Sequence, residues 1–460
     1  MNSFYNPIFI SRLLKSYLFD INRLWNISDK ELRRYQDKNL KRMVRYAYTV
    51  PVYHDKYKKA GVHPNDITSA GDLKKLPIIS KEDIKEYYPD GIISSRTRKE
   101  KLVEVSTSGT TGKSLSIYVD MFDIVMGLFG YIRMIKEYEI NWRKNRMTII
   151  GDFAPHTVES GYITKGLFTQ MRRDFLFNNM QWLNTNDDPE KLIEEINRFK
   201  PEFIGGYVGM LGHLSLLKEK GYGKDIKPKY IATTGSVLDK SLKKLIEETF
   251  DAHIFETYGS TETGPIAFQC RKGNYHIMSD LVYLEFLKNG EPASPGEPGH
   301  TIVTKLYGNG TPIIRYNAMN DIIAPSDEKC NCGLSGDLIE RIYGRDDLSL
   351  YLPDGRLLLP SSISDIYSRV LYGLKTNKVK DTRIIQHSLS KIEIQLLIDE
   401  KLRDEGATVD EIFSVIKNGF QEKVGPNIDI VIREVKKVRK QGPRIISKID
   451  RNKFKITHYV

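Results

Sequence analysis

One polar loop has the composition of a phosphate-binding site. Its residues are Ser106, Thr107, Ser108, Gly109, Thr110, Thr111, Gly112 and Lys113. Hydroxyls and the N–H groups that glycine leaves accessible can surround a polyphosphate, and a lysine adds a positive charge. The loop is not a P-loop, because the spacing GxxxxGK requires glycine at position 107, where Thr107 stands. From composition alone, a polar hairpin turn remains an open alternative.

A second segment combines an aromatic ring with hydroxyl and carboxylate groups. Its residues are Glu256, Thr257, Tyr258, Gly259, Ser260, Thr261 and Glu262. A tyrosine ring can stack on adenine, a threonine hydroxyl can bind phosphate, and a carboxylate is a hard oxygen ligand of the kind Mg²⁺ prefers. A strand-end turn with a capping serine is the alternative interpretation.

The three cysteines and one histidine have the composition of a metal site. Cys270 lies six residues before His276, and Cys330 lies two residues before Cys332. Three thiolates and an imidazole would complete a closed tetrahedral zinc shell of the structural type. Three reduced cysteines with an unrelated histidine remain the alternative. The odd, low number of cysteines argues against a disulfide-built secreted protein.

The elements that would position these residues change character along the chain. The first hundred residues are predicted to be helical, with Ser80 and Asp83 as an N-cap pair. From about residue 100, strands alternate with helices, which predicts an α/β core with a largely parallel sheet. After about residue 275 a β-rich part follows, and beyond Gly344 a compact α+β domain. The predicted strands are Leu102–Val105, Leu115–Val119, Met147–Ile150, Phe203–Gly206, Tyr230–Thr233, His253–Glu256, His276–Phe286, His300–Leu306, Pro312–Asn317, Ile392–Ile398 and Ile428–Ile432; the predicted helices include Asp120–Glu139, Ser362–Leu371 and Val409–Phe420.

The bulk properties favour a globular protein with anionic ligands. The chain has 460 residues and a formal net charge of +11, which suits nucleotides, CoA phosphates, nucleic acid or acidic lipid. No nucleic-acid motif, signal peptide or spanning segment is recognised, so we expect a cytoplasmic protein that binds no nucleic acid. The segment Phe4–Trp25 is expected to be a helix packed on the body, with peripheral membrane contact left open. A homodimer is also left open.

The loop Ser106–Ser114 resembles the signature loop of the acyl-adenylate-forming superfamily. Within it, the stretch Leu32–Glu86, with Leu76–Lys81, is similar to the helical N-terminal region of the phenylacetate–CoA ligase branch and its capsule-biosynthesis (CapK-like) relatives. The resemblance implies an α/β fold: a large N-terminal adenylate-forming domain with parallel sheets and a β-rich subdomain, and a small α+β C-terminal lid domain. The expected divisions are a helical region 1–100, an AMP-binding core 101–343 and a lid 344–460.

The resemblance also implies roles in nucleotide binding. Tyr258 would stack on adenine, Thr261 would contact the α-phosphate, and Glu262 would hold Mg²⁺. The turn at Gly235 and Ser236 would lie near adenine and the acyl pocket, although many relatives carry Glu where Ser236 stands. The lining of the acyl pocket would come from residues 151–163 and 205–209, with His156 as a loop residue.

The resemblance also implies roles for residues that would bind the ribose and for residues at the hinge and in the lid. Asp321 would accept both ribose hydroxyls, in a motif where Asn320 replaces the usual glycine. Arg345 would contact ribose or phosphate, and Asp347 would be the hinge. The lid lysine that neutralises charge during adenylation matches Lys448, which follows Ser447 instead of glycine; Lys453 competes for the role, and a divergent or absent lysine is the third reading.

The activity that this resemblance implies is ATP-dependent activation of a carboxylate as acyl-AMP, followed by transfer to a thiol, with CoA as the expected acceptor. ATP or AMP, Mg²⁺, a structural Zn²⁺ and CoA are the expected cofactors, and a small carboxylic acid is the expected substrate. Two alternatives stay open: adenylation coupled to acyl transfer onto a sugar in polysaccharide biosynthesis, and a non-catalytic nucleotide-binding protein.

Overall fold

The computed structural model describes residues 3–107, 114–155, 157–167, 178–317, 319–438 and 444–450, together with 454, 456, 458 and 459. Within this part of the chain, no helix has both the length and the apolar character needed to cross a membrane.

The N-terminal region is helical, as predicted. Ser28 and Glu31 form a capping box at the start of the third helix, and Ser80 and Asp83 form another at the fifth. The first helix packs its Phe9 side against the body and leaves Ile8 exposed, so the expectation of a packed N-terminal helix is confirmed. The helices are α1 (Pro7–Phe19), α2 (Arg23–Asn26), α3 (Asp29–Ala47), α4 (Pro51–Lys59) and α5 (Lys81–Tyr87).

The central part is an α/β unit with five parallel strands. A hairpin and a long helix precede it, and the strands follow the order β4-β3-β5-β6-β7. Helices between the strands bury their apolar sides against the sheet, as parallel sheets require. The elements are β1 (Val103–Ser106), β2 (Ser116–Val119), α6 (Met121–Glu137), β3 (Met147–Gly151), a π-helical segment (Ser160–Leu167), β4 (Met180–Asn184), α7 (Pro189–Phe199), β5 (Phe203–Tyr207), α8 (Val208–Glu219), β6 (Tyr230–Thr234), α9 (Lys240–Phe250) and β7 (His253–Ser260).

Strand β7 continues into a β-rich part, so both parts share one sheet of twelve strands. The further strands are β8 (Gly264–Gln269), β9 (Tyr275–Ile277), β10 (Val282–Lys288), β11 (Glu291–Pro292), β12 (Gly299–Lys305), β13 (Asp321–Ser326) and β14 (Leu338–Arg345).

Two strand predictions in this part were wrong. The predicted strand His276–Phe286 is divided, because a turn that starts at Met278 separates β9 from β10. The predicted strand Pro312–Asn317 is not formed, because Arg315 has φ +46° and interrupts the extended backbone. Only isolated bridges from Tyr316 to Ile79 and Val303 remain.

The C-terminal residues build an α+β unit with its own apolar core. The alternation from Ile392 to Ile398 is confirmed, since these side chains are buried at every second position. Ile428–Ile432 was predicted as the last strand, but two short strands follow it. The elements are β15 (Leu350–Tyr351), β16 (Arg356–Leu358), α10 (Pro360–Ser368), a π-helical turn (Arg369–Gly373), β17 (Val379–Ser388), β18 (Lys391–Ile398), α11 (Val409–Val424), β19 (Asp429–Glu434), β20 (Ile445–Ser447) and β21 (His458–Tyr459). The predicted fold class is confirmed.

Candidate active site

Three predicted site residues meet where the parallel strands give way to the antiparallel ones. Tyr258 lies on β7, Asp321 begins β13, and Arg345 ends β14. Asp321 and Arg345 are directly paired across these two strands. The Tyr258 hydroxyl donates a hydrogen bond to Asp321 Oδ2 at 2.6 Å. The sheet therefore brings together side chains that are up to 87 residues apart in the chain.

The Asp321 carboxylate is buried away from solvent. Burial raises its pKa to about 6, while the hydrogen bond from Tyr258 and the charge of Arg345 oppose that rise. One of its oxygens, Oδ2, accepts the hydrogen bond from Tyr258. No described residue donates a hydrogen bond to the other oxygen, Oδ1, which can accept hydroxyl donors.

Glu262 is nearly buried beside this pair. Only 7% of the residue is exposed, and its Oε1 accepts a hydrogen bond from the Tyr316 hydroxyl at 3.2 Å. Lys81, the first residue of α5, lies in the same electrostatic environment. Burial lowers the pKa of Lys81, the Glu262 carboxylate raises it, and Arg345 lowers it. The Glu262 carboxylate, the Lys81 amine and the Arg345 guanidinium therefore lie close enough to interact electrostatically.

The predicted hinge residue is held by the neighbouring arginine. Arg345 donates from Nε and Nη2 to the two carboxylate oxygens of Asp347 at 3.0 and 2.9 Å. The backbone N–H of Asp346 donates to the carbonyl of Asn320 at 2.7 Å. Asn320 has φ +53°, a conformation that asparagine tolerates better than most residues. Asparagine can therefore occupy this turn in place of glycine.

The other residues of the β7 motif line or support the same edge. The Thr257 hydroxyl donates to the carbonyl of Thr233 at 2.9 Å and joins β7 to β6. The Ser260 and Thr263 hydroxyls are 3.0 Å apart, and Thr261 is half-buried beside them. A Cβ at Gly259 would lie 2.7 Å from the carbonyl oxygen of Gly264, so a larger residue does not fit there.

Glu256 and the β6 turn differ in exposure. Burial raises the pKa of Glu256, and a side-chain hydrogen bond with Tyr275 lowers it. This carboxylate therefore contacts strand β9. Gly235 and Ser236 are exposed at the carboxyl end of β6, where parallel α/β sheets bind ligands.

The phosphate loop is described only at its two ends. The Ser106 and Ser116 hydroxyls are 2.7 Å apart, and Thr107 Oγ1 accepts from the backbone N–H of Leu115 at 2.9 Å. These contacts close the β1–β2 hairpin around the loop. Ser108, Gly109, Thr110, Thr111, Gly112 and Lys113 lie outside the described residues, as do His156 and Lys453.

Lys448 lies on the C-terminal unit, directly after β20. Its Nζ is 3.1 Å from His387 Nδ1, and its backbone N–H donates to the carbonyl of Gln386 at 3.0 Å. Among the contacts described here, none joins Lys448 to Glu262.

The four predicted metal ligands converge. Cys332 Sγ lies 3.2 Å from His276 Nε2, and Cys270 Sγ lies 3.7 Å from Cys330 Sγ. All four donor atoms lie within 4.8 Å of one another. Around a tetrahedral zinc ion with bonds of about 2.0–2.3 Å, neighbouring ligand atoms are separated by roughly 3.3–3.8 Å. The spacing and the donor set therefore fit a tetrahedral zinc ion.

Several polar contacts at the site were not indicated by the sequence. Lys81 lies inside the stretch Leu76–Lys81 and Tyr316 lies four residues before Asn320, but nothing indicated that either residue approaches Glu262. Tyr207 and Glu159 form a hydrogen bond across 48 residues. No local pattern in the sequence predicts such a contact.

Comparisons with known proteins found relatives that extend over most of the chain. No protein-family model matches the chain. The protein CapK of Staphylococcus aureus is 23% identical over 432 residues, which cover 93% of this chain and 90% of CapK. A phenylacetate-coenzyme A ligase of Thermus thermophilus is 22% identical over 450 residues, which cover 90% and 94%.

The solved structures include a 2-hydroxyisobutyryl-CoA ligase in its postadenylation state with R3-HIB-AMP. Its TM-score is 0.71 at 17% identity, and the match covers 92% of this chain and 90% of that one. The shared fold and these full-length relatives support the resemblance of the chain to the acyl-adenylate-forming superfamily.

Proposed function

We propose that the protein is an AMP-forming acid–thiol ligase. In the first step, a carboxylate oxygen of the substrate attacks the α-phosphorus of MgATP, and the α–β phosphoanhydride bond breaks to release pyrophosphate. In the second step, the CoA sulfur attacks the acyl carbonyl carbon, and AMP leaves. The convergence of Tyr258, Asp321, Arg345 and Glu262 carries this proposal. The coenzyme A ligases among the relatives support CoA as the acceptor.

Each of these residues has a chemical role that fits its position. Asp321 accepts the ribose hydroxyls, because a carboxylate offers two acceptor oxygens to a diol. Its hydrogen bond fixes the Tyr258 ring, whose face stacks on adenine. Glu262 holds Mg²⁺ through its carboxylate. Arg345 contacts ribose or phosphate, and Thr261 contacts the α-phosphate.

The phosphates also need compensation for the charge that develops during transfer. In this proposal Thr107, Ser108 and Lys113 surround the polyphosphate, and Lys448 enters from the C-terminal unit for the first step. Asp347 is the pivot about which that unit moves between the two steps. The bidentate contact with Arg345 fixes Asp347 in the described arrangement.

Pyrophosphate release tests the proposal and the role of Lys448 together. We expect release from MgATP to require a carboxylic acid and to fall about 10²–10³-fold in Lys448→Ala, because a charge-neutralising group is lost. Lys437→Ala removes an exposed lysine from the same region and should leave the rate within twofold. AMP release that increases with CoA, and not with a sugar acceptor, identifies the thiol as nucleophile.

The adenylation proposal would be wrong if aryl, fatty and amino acids all failed to release pyrophosphate from a protein that binds ATP. Unchanged release in Lys448→Ala would remove only the lysine assignment. The two results are distinguishable because the wild type alone decides the first.

We also propose that Cys270, His276, Cys330 and Cys332 hold a structural zinc ion. The ion would join the β8–β9 connection to the loop before β14. Four protein ligands leave no open coordination position, so the ion would stabilise the fold and take no part in the reaction.

Metal content and thermal stability test the zinc assignment. We expect about one zinc ion per chain in the wild type and little in His276→Ala, with a melting temperature lower by at least about 5 °C. His253→Ala removes an exposed histidine outside the cluster and should keep both the zinc and the melting temperature. Wild-type protein without bound zinc after purification in zinc-containing buffer would contradict the assignment.

A further inference from the structure

The carboxyl ends of the parallel strands form a surface with few side chains. Gly151 ends β3, Gly205 and Gly206 lie near the end of β5, and Gly235 follows β6. Strand register places these ends side by side, since Ile150 pairs with Gly206. Ligands of parallel α/β sheets bind at this edge. The proposed nucleotide site lies at the next strand, β7.

Two polar side chains close over these glycines. A Cβ at Gly235 would lie 2.3 Å from Tyr207 Cδ1, and a Cβ at Gly151 would lie 3.0 Å from Glu159 Cγ. The Tyr207 hydroxyl donates to Glu159 Oε1 at 2.5 Å. Tyr207 thus extends from the exposed β6 turn to Glu159, and the carboxylate lies about one aromatic ring away from that turn.

Among the residues that the structure describes, Glu159 has no cationic partner. Among the described residues it forms no ion pair, and neither does Asp152, whose charge is close enough to repel it. Burial is the largest influence and raises the pKa of Glu159, while Tyr207 and backbone N–H groups lower it. A half-buried carboxylate without a counter-charge is costly unless a ligand supplies one.

A second face of the same space is aromatic. Tyr131 is 41% exposed, and its pKa is raised to about 12, first by burial and second by the charge of Glu159. Tyr131 therefore lies within electrostatic reach of Glu159 and is partly open to solvent. Gly127 lies four residues before Tyr131, on the same face of α6. A Cβ at Gly127 would lie 3.2 Å from the Tyr162 ring.

Tyr162 contributes an unused polar group. Only 4% of this residue is exposed, and its hydroxyl has no hydrogen-bond partner among the described residues. Its ring packs against Gly127 of α6. The hydroxyl lies 4.0 Å from the Cβ position of Gly264, just after the Mg²⁺ motif. A buried hydroxyl without a partner among the described residues is free to form a hydrogen bond with a ligand.

We propose that this space is the acyl pocket and that it takes an amino carboxylic acid, whose ammonium group binds Glu159 between Tyr207 and Tyr131. This inference rests on the adenylation function proposed above. The ammonium would make a charge-assisted hydrogen bond with the carboxylate and would lie against the Tyr131 ring. An acid without the amino group would leave Glu159 desolvated and unpaired, so the pocket discriminates against it.

Paired substrates test the inference. We expect amino acids to release pyrophosphate with kcat/KM at least about 10-fold above their des-amino counterparts, for example phenylalanine against 3-phenylpropanoic acid and 4-aminobutanoic against butanoic acid. Glu159→Gln keeps the shape and removes the charge. It should lower kcat/KM about 10–100-fold for the preferred amino acid and change it less than threefold for the des-amino acid.

Tyr207→Phe is the matched variant, because it keeps the ring against Gly235 and removes only the hydroxyl that orients Glu159. It should reduce the preference for amino acids less than Glu159→Gln does. Melting temperatures within about 3 °C of wild type exclude a folding defect in both variants. An equal preference for the two acids in wild type, or a preference that survives Glu159→Gln, would overturn the inference.

Binding separates this inference from the proposed function. If no acid releases pyrophosphate, adenylation is wrong, and calorimetric titration with the same acids then decides the pocket. Amino acids that bind wild type at least about 10-fold more tightly than Glu159→Gln support it; equal affinities overturn it.

Discussion

Replacement of Glu262 by glutamine is expected to lower pyrophosphate release about 10²–10³-fold. A carboxylate that holds Mg²⁺ stabilises the charge on the transferring phosphate by several kcal/mol, and an amide is a much weaker ligand. The neighbouring Tyr258–Asp321 hydrogen bond does not involve Glu262. The variant should therefore still bind nucleotide, while the Mg²⁺ concentration that gives half-maximal rate should rise.

Two variants control for this result. Glu82→Gln makes the same change at an exposed residue near the site and should leave the rate within twofold. Tyr316→Phe removes the hydroxyl that donates to Glu262 at 3.2 Å, and we expect a loss of less than about 10-fold. Rates and Mg²⁺ titrations at saturating ATP measure all three. A Glu262→Gln protein that retained more than a tenth of the activity would exclude Glu262 as the main Mg²⁺ ligand.

The elements, and the motifs that supply the candidate site, could be recognised in the sequence because their signals are local. Ser80 and Asp83 cap a helix through contacts only three residues apart. Apolar side chains recur at every second position from Ile392 to Ile398, and this pattern indicates that one face of the strand is buried. The motifs at Tyr258 and Asp321 are likewise contiguous in sequence, so each was visible before the contact between them.

The predictions that were wrong or missing involve residues whose conformation or contacts depend on distant parts of the chain. Arg315 lies in an apolar run that reads as a strand, but it adopts a left-handed conformation. Its guanidinium donates to the Glu285 carboxylate and to the carbonyl of Leu76, 239 residues earlier. These buried partners stabilise a backbone that local propensity disfavours. The Glu159–Tyr207 contact was missed for the same reason.

A buried ion pair attaches the N-terminal segment to the body. Arg133 donates from Nη1 and Nη2 to the two carboxylate oxygens of Asp280 at 2.7 and 2.6 Å, and both side chains are 1% exposed. The same guanidinium donates to the backbone carbonyls of Asp20 and Ile21 at 2.6 and 3.1 Å. One side chain therefore joins α6, the turn before β10 and the chain after α1.

We expect Arg133→Met to lower the free energy of unfolding by about 3–5 kcal/mol. The substitution leaves Asp280 buried and leaves two carbonyls without donors, and both effects are costly. Arg23 reduces the loss, because its Nε lies 3.7 Å from Asp280 Oδ2. Urea unfolding followed by tryptophan fluorescence measures the change, with Trp25 reporting on the N-terminal segment.

The design of the variants distinguishes a buried charge from lost packing. Arg45→Met makes the same substitution at an exposed arginine and should change stability by less than about 0.5 kcal/mol. Arg133→Met combined with Asp280→Leu removes both charges and should recover at least half of the loss, because no uncompensated ion remains. A double variant as unstable as Arg133→Met would show that the carbonyl contacts, and not the buried carboxylate, account for the cost. Wild-type stability in Arg133→Met would contradict the role of this pair in holding the N-terminal segment.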